Sequence, residues 1–112
     1  LWATWCGPCR MGHRTMAPMK EELRDRPVVF VYLPNDTSPL QTWGDMIREI
    51  PGEHYYLPRP QFSYLLDQLY HSQGIPTYAL YAPDGTLAWQ HIGYMQTNDE
   101  VREAIERAIP EQ

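Results

Sequence analysis

The chain has 112 residues, of which 43% are hydrophobic, and nine Lys or Arg residues against fourteen Asp or Glu residues give a net charge of −5. This length predicts one domain over residues 1–112, large enough for a core but too small for two domains. The acidic balance argues against nucleic-acid binding, which needs clustered Lys and Arg. No stretch of the sequence is long and apolar enough to insert into a membrane.

The chain opens on Leu1, Trp2 and Ala3, an apolar run that is typical of the last residues of a strand. We expect the earlier residues of this strand to lie outside the sequence, so that the N-terminal strand is truncated. For the same reason, the lack of a visible signal peptide says nothing about location. Trp2 is expected in the core, and Trp5 beside the site that follows.

The two cysteines of the sequence, Cys6 and Cys9, enclose Gly7 and Pro8 at the start of a predicted helix. If Cys6 caps this helix, the unpaired N–H groups and the helix dipole favour its thiolate over its thiol. Cys9 would lie one turn further on, close enough to attack a mixed disulfide on Cys6. Pro8 suits a first turn because its missing N–H would have no partner there. The pattern predicts a redox site with an exposed Cys6 sulfur and a buried Cys9.

Two other uses of the cysteine pair are a structural disulfide and half of a metal site. Structural zinc needs four ligands, and adding His13 would bring the set to only three. Covalent haem attachment needs a histidine directly after the second cysteine, where this sequence has Arg10. Redox chemistry is therefore the preferred interpretation, with no metal ligands predicted.

The predicted first helix covers residues 9–26 and contains Pro18, which removes one hydrogen bond and should kink it. Its buried face is expected from the spacing of its apolar residues, namely Met11, Met16, Met19 and Leu23. Residues 28–33 are continuously apolar, which is typical of a strand covered on both faces. Ser38 and Pro39 then predict the cap and first turn of a second helix. The face of that helix is expected from Leu40, Trp43, Ile47 and Ile50.

The second half of the chain predicts a short strand over 53–57, then a helix that begins at Pro60. The buried stripe of that helix is expected to contain Phe62, Leu65, Leu66 and Leu69. Residues 77–82 and 87–92 flank a turn with Asp84-Gly85, which predicts an antiparallel hairpin. Thr97 and Glu100 have the spacing of a capping box for a final helix. This order of elements favours an α/β fold with a mixed central sheet and helices on both faces.

Trp5-Cys6-Gly7-Pro8-Cys9, followed some seventy residues later by Gly74-Ile75-Pro76-Thr77, resembles the two signatures of thioredoxin-like proteins. The spacing and the Ala3-Thr4-Trp5 lead-in are most similar to the TlpA/ResA-like branch of bacterial thiol-disulfide oxidoreductases. The resemblance covers essentially the whole chain and implies a thioredoxin-like fold.

The resemblance also implies roles for individual residues. Cys6 and Cys9 would be catalytic, with Cys6 as the attacking thiolate and Cys9 as the resolving thiol. Pro76 would follow a cis peptide bond and lie against the reactive pair. The expected substrate-binding residues are Trp5, Gly7, Pro8, Ile75, Pro76 and Thr77.

The activity implied is exchange of the dithiol with disulfides of protein substrates, in the reducing direction because Gly7-Pro8 resembles the reducing members. The alternatives are an oxidase or isomerase with the same chemistry and a binding module without turnover. No organic cofactor or metal is expected beyond the redox-active disulfide. The expected partners are a protein disulfide substrate and an upstream thiol donor, in the periplasm or cell envelope of a bacterium.

The sequence departs from the family pattern at the group that takes the proton from Cys9. Many thioredoxins carry a buried acid that assists deprotonation of the second cysteine, and in this numbering it would precede Leu1. The proton acceptor for Cys9 is therefore left open. The four histidines share no common spacing and are expected at the surface or partly buried, without a functional role: His13, His54, His71 and His91.

Overall fold

The computed structural model describes residues 1–110. Its helices are α1 (Gly7–Glu22), α2 (Leu40–Met46), α3 (Arg59–Ser63) and α4 (Asp99–Ala108). A 3-10 turn (Ile47–Glu49) follows α2, and a π-helical turn (Tyr64–Leu69) follows α3. The strands are β1 (Val31–Tyr32), β2 (Glu53–His54), β3 (Thr77–Tyr81) and β4 (Leu87–Ile92).

Helix α1 begins two residues earlier and ends four residues earlier than the sequence predicts. Cys6 is its N-cap, with extended backbone at φ −89° and ψ 108°, and Pro8 lies in its first turn. The expected inner face is correct for Met16 and Met19 but wrong for Met11, which is 44% exposed. The inward position at this level of the helix belongs to Gly12, which is buried against Tyr78.

The strands form two short ladders. β1 pairs in parallel with β2, and β3 pairs antiparallel with β4. The predicted strand over 28–33 shortens to two residues, and it is not covered on both faces, since Val29 and Val31 are 68% and 49% exposed. The ladder hydrogen bonds of β1 go to β2.

The first two residues of the chain connect the two ladders. Leu1 and Thr77 exchange two backbone hydrogen bonds, of 2.9 and 3.2 Å, and the Trp2 N–H donates to the Leu33 carbonyl at 3.3 Å. The opening segment therefore lies between the end of β1 and the start of β3. It joins the parallel ladder of β1 and β2 to the antiparallel ladder of β3 and β4, directly before the cysteine motif.

The start of α2 differs from its prediction. Pro39, not Ser38, is the N-cap, and no side chain caps the helix. The Ser38 hydroxyl is fully buried and instead accepts a hydrogen bond from the Thr4 N–H at 3.0 Å. The predicted inner face holds at Ile50 but fails at Leu40, which is 63% exposed.

The third helix changes character within its length. The i to i−5 hydrogen bond from the Tyr70 N–H to the Leu65 carbonyl widens the turn. The wider turn rotates later residues away from the inner face. Phe62 is therefore buried as predicted, but Leu69 at the end of the stripe is 42% exposed.

The predicted hairpin is present, with a register shift between Leu80 and Tyr81. The predicted capping box of α4 is wrong. Asn98 is the N-cap, and its side-chain amide donates to the Thr15 carbonyl at 2.7 Å, so it ties α4 to α1. Glu100 instead accepts a hydrogen bond from the Trp89 indole at 3.3 Å.

Two apolar clusters fill the interior of the described residues. The larger lies between α1, α4 and the hairpin, and its buried members are Met16, Met19, Leu23, Met95, Val101 and Ile105. The smaller lies beneath the start of α1 and consists of Trp2, Ala3, Cys6, Cys9 and Ile50. Trp2 is thus a core residue, as predicted. Both cysteines are part of the smaller cluster.

Candidate active site

Cys6 and Cys9 form a disulfide across the first turn of α1. The Cys9 N–H donates to the Cys6 sulfur at 3.2 Å, so this sulfur occupies the position of an N-capping acceptor. A thiolate at the same place would receive that N–H and the positive end of the helix dipole.

Both cysteines are nevertheless buried, at 5% exposure for Cys6 and 1% for Cys9. The order of exposure agrees with the sequence prediction, but the expectation of an exposed Cys6 sulfur is wrong for the disulfide form. Trp2 belongs to the same buried cluster, and the side chain of Ile75 packs against it. These apolar neighbours cover most of the pair.

Gly7 and Pro8 form the exposed outer edge of the motif. A Cβ atom at Gly7 would meet no atom within 4 Å, so a larger side chain here would extend into open space beside the disulfide. Trp5 is 63% exposed and also stands at this edge. Its indole N–H donates to the Thr37 hydroxyl at 3.1 Å, and that hydroxyl donates in turn to the Asn35 side chain at 2.6 Å.

The second predicted signature lies against the first. The Ile75–Pro76 peptide bond is cis, and the Ile75 carbonyl oxygen is 3.8 Å from the Cys6 sulfur. Pro76 is buried, and its carbonyl accepts a hydrogen bond from the Gly93 N–H at 2.8 Å. The structure therefore brings together Cys6 and Ile75, which are 69 residues apart in the chain.

A buried hydroxyl pair fixes this loop, and sequence reasoning missed half of it. The Ser72 and Thr77 hydroxyls are 2.8 Å apart, and each donates to the Gly74 carbonyl, at 2.9 and 2.7 Å. Ser72 and Thr77 are 2% and 3% exposed. Ser72 precedes a glycine by two residues, a spacing typical of a serine turn, and this was the available signal.

The contact between Thr4 and Ser38 was also missed. It attaches the residue two places before Cys6 to the loop that follows β1. The Tyr56 hydroxyl donates to the Ser38 carbonyl, which holds the same loop from the other side. The sequence signal at Ser38-Pro39 pointed to a helix cap, which is the commoner use of that pair.

An apolar cleft of about 870 Å³ opens between β1 and β3 and reaches the disulfide. Cys9 and His13, one helical turn apart on α1, both line it, together with Trp2, Tyr32 and Tyr78. The Nε2 atom of His13 is buried and has no hydrogen-bond partner.

Within residues 1–110, no group of three or more His, Cys, Asp or Glu side chains is arranged to hold a metal ion. The same residues contain no helix with the length and apolar character needed to cross a bilayer.

Comparison with known proteins agrees with this architecture. The model of a family described as thioredoxin-like matches residues 1–87. None of the curated proteins compared with the chain matches it. A Chlorobium tepidum structure described as a thiol:disulfide interchange protein, DsbE, superposes with a TM-score of 0.76 at 25% sequence identity. That match covers 97% of this chain and 76% of the other, and it confirms the predicted α/β fold class.

Proposed function

Because this chain belongs to the thioredoxin-like family, we propose that it is a thiol-disulfide oxidoreductase whose Cys6/Cys9 pair exchanges with disulfides of protein substrates. One observation carries the proposal. The Cys6 sulfur sits at the N-cap of α1 and accepts the Cys9 N–H, with the Ile75 carbonyl on its other side at 3.8 Å. A thiolate at a helix N-terminus is the form that attacks a disulfide.

In the reducing direction, the Cys6 thiolate attacks one sulfur of a substrate disulfide and releases the other as a thiolate. The Cys9 sulfur then attacks Cys6, forms the Cys6–Cys9 disulfide and releases the second substrate thiolate. Two electrons pass from the dithiol to the substrate, and the protons of the two protein thiols end on the two substrate sulfurs. An upstream thiol donor must then reduce the pair again.

The substrate is proposed to bind along Trp5, Gly7 and Pro8 on one side and the Ile75–Thr77 segment on the other. The exposed indole of Trp5 offers a flat apolar surface at the edge of the motif. The buried hydroxyls of Ser72 and Thr77 hold the opposite segment in place. A substrate in extended conformation would use main-chain groups near Ile75 for register.

The reducing direction is favoured over oxidation or isomerisation because Gly7-Pro8 resembles the reducing members of the family. A thioredoxin-fold binding module without turnover is the alternative from a different class. A periplasmic or cell-envelope location is proposed from the resemblance to TlpA/ResA-like proteins. The described relative, a thiol:disulfide interchange protein, supports the proposed reaction class.

The test is reduction of insulin disulfides with a dithiol donor, combined with the redox potential of the Cys6/Cys9 pair in glutathione buffers. We expect turnover that Cys6→Ser abolishes, whereas Cys9→Ser should accumulate a mixed disulfide on Cys6. A potential near that of reducing thioredoxins, about −270 mV, would favour the reductase, and one near −120 mV the oxidase. If the wild-type protein shows no turnover in either direction, the binding module is the remaining interpretation.

A further inference from the structure

The Trp5 indole is exposed at the edge of the cysteine motif, and one contact sets its orientation. The backbone of Trp5 is fixed, because the Cys6 N–H donates to the Ala3 carbonyl at 3.1 Å and closes a turn around it. The ring is not fixed by burial, since among the described residues it belongs to neither apolar cluster. Within that part of the chain, the indole N–H makes one hydrogen bond, to the Thr37 hydroxyl at 3.1 Å.

The Thr37 hydroxyl is oriented to accept this hydrogen bond. The side-chain oxygen of Asn35 accepts both the Thr37 N–H at 2.9 Å and the Thr37 O–H at 2.6 Å. A backbone N–H can only donate, so the Asn35 atom that faces it is the amide oxygen and not the nitrogen. With its proton directed at Asn35, the hydroxyl turns a lone pair to Trp5, whose indole nitrogen can only donate.

The support behind Thr37 is buried. Ser38, the next residue, is fully enclosed, and its hydroxyl accepts the Thr4 N–H at 3.0 Å. The Ser38 N–H donates to the Asn35 carbonyl at 3.1 Å, and Asn35 itself pairs with Leu57 in an isolated parallel bridge. The loop is thus attached both to the residues before Cys6 and to the segment after β2, which gives Thr37 a fixed place.

The same turn occurs in the hairpin, where no indole of the described residues donates to it. There the Asp84 carboxylate accepts the Thr86 N–H at 3.0 Å and the Thr86 O–H at 2.7 Å. This turn lies at the opposite end of β3 from the cis peptide bond before Pro76. Both threonine hydroxyls therefore close a local turn, but the hydroxyl of Thr37 also receives an indole.

We propose that Thr37 is a positioning residue for protein substrates, because it holds the exposed Trp5 indole in one orientation beside the disulfide. The inference rests on the proposed thiol-disulfide exchange. A ring already held in place loses little rotamer freedom when an apolar side chain next to the substrate cysteine packs on it, whereas a free ring loses that freedom at each encounter. A small disulfide has no flanking side chain to pack on the ring. Thr37 should therefore favour polypeptide disulfides over small ones.

Single-turnover oxidation of the reduced protein by insulin and by hydroxyethyl disulfide tests this preference. We expect Thr37→Val to raise the half-saturating insulin concentration about three- to tenfold, the effect of one lost hydrogen bond, with little change in the rate at saturation. The ratio of the second-order rate constants for insulin and hydroxyethyl disulfide should fall by the same factor. An unchanged ratio, or a loss confined to the rate at saturation, would overturn the proposal.

Two further variants separate the indole contact from the local turn. Thr37→Ser keeps the hydroxyl and should restore the half-saturating insulin concentration of the wild type. Thr86→Val is the matched control, because it removes the corresponding hydroxyl of the hairpin turn, and it should leave the ratio of rate constants unchanged. Equal effects of Thr86→Val and Thr37→Val, or a failure of Thr37→Ser to restore binding, would contradict the proposed role.

A double-mutant cycle tests whether Thr37 acts through the indole. Trp5→Phe keeps an aromatic ring but removes the N–H donor. Thr37→Val should then have no further effect, so that the double variant has the half-saturating insulin concentration of Trp5→Phe alone. Additive effects of the two substitutions would show that Thr37 acts independently of Trp5 and would refute the inference.

One measurement does not depend on turnover. In ¹⁵N-labelled protein, the order parameter of the Trp5 indole N–H, identified by its absence in Trp5→Phe, should be about 0.85 in the wild type and below about 0.6 in Thr37→Val. An equally rigid indole in both proteins would overturn the proposal. Failure of the proposed function gives a different result, namely wild-type protein without turnover on insulin whose indole is still rigid.

Discussion

At the scale of single residues, the site depends on hydroxyl groups that lie outside the cysteine motif. The Ser72 and Thr77 hydroxyls lie within hydrogen-bond distance of each other and of the Gly74 carbonyl, so the loop before β3 is fixed by side chains and not by a sheet ladder. Ser38 does the same for the segment before Cys6 by accepting the Thr4 N–H. Each of these serines is fully enclosed and thus cannot exchange its partner for water.

Ser72→Ala tests the loop. Removal of this hydroxyl leaves the Thr77 side chain with one partner fewer in a buried site, and we expect a loss of about 1–2 kcal/mol in the free energy of unfolding. Insulin reduction should slow as well, because the Ile75 carbonyl is no longer held against Cys6. Urea denaturation and steady-state assays provide the two measurements.

Ser63→Ala is the matched control for Ser72→Ala, because Ser63 is exposed at the end of α3. It should change neither stability nor turnover. Equal effects of the two substitutions would show that the hydrogen bonds of Ser72 do not support the site.

At the scale of elements, α1 and α4 are joined by an apolar interior and by ion pairs at the surface. Met19 of α1 is completely buried in the larger apolar cluster. Arg26, in the turn that follows α1, makes two hydrogen bonds of 2.9 Å to Glu106 of α4, but both side chains are more than 40% exposed. Solvent screening makes exposed pairs weak, whereas cavities in a core are costly.

We therefore expect Met19→Ala to lower the free energy of unfolding by about 2–5 kcal/mol and Arg26→Gln by less than about 1 kcal/mol. Chemical denaturation of both variants in one buffer measures the difference. A larger loss for Arg26→Gln than for Met19→Ala would mean that surface charge, and not burial, holds α4 in place.

At the scale of the whole molecule, His13 links stability to pH. Its pKa is 6.5 in an unfolded chain and about 4 in the fold, so the unfolded state takes up the proton first as the pH falls. The contribution of this group is complete above pH 6.5 and is lost as the pH falls from 6.5 towards 4. Allowing for partial solvent exposure, we expect it to amount to about 2 kcal/mol.

Thermal melts at intervals between pH 7 and pH 4 check this expectation. The midpoint of His13→Gln should fall less steeply over this range than that of the wild type, because the neutral amide has no proton to take up. Parallel curves for the two proteins would assign the acid sensitivity to other groups.

How much could be predicted from the sequence depends on how local each signal is. The cysteine motif, the helix that follows it and the hairpin around Asp84-Gly85 were predicted because spacing and turn residues determine them. Ser38 and Asn98 were not, because their side chains bond to Thr4 and Thr15, 34 and 83 residues away. Long-range contacts of this kind leave no periodicity in the chain.

The misjudged exposures have a similar origin. Leu69 was expected to be buried from an ideal helical repeat, and the π-helical turn shifted it outward. Cys6 was expected to be exposed from its place at a helix end, but Ile75 packs over it from the other half of the sequence.

The close approach of Gly12 to Tyr78 also constrains how this fold can vary. A Cβ atom at position 12 would overlap the hydroxyl oxygen of Tyr78, so a larger residue on the helix here would push the Tyr78 ring aside. Natural variation at the two positions should therefore be coupled. We expect a homologue with a larger residue at position 12 to carry a shorter residue at position 78.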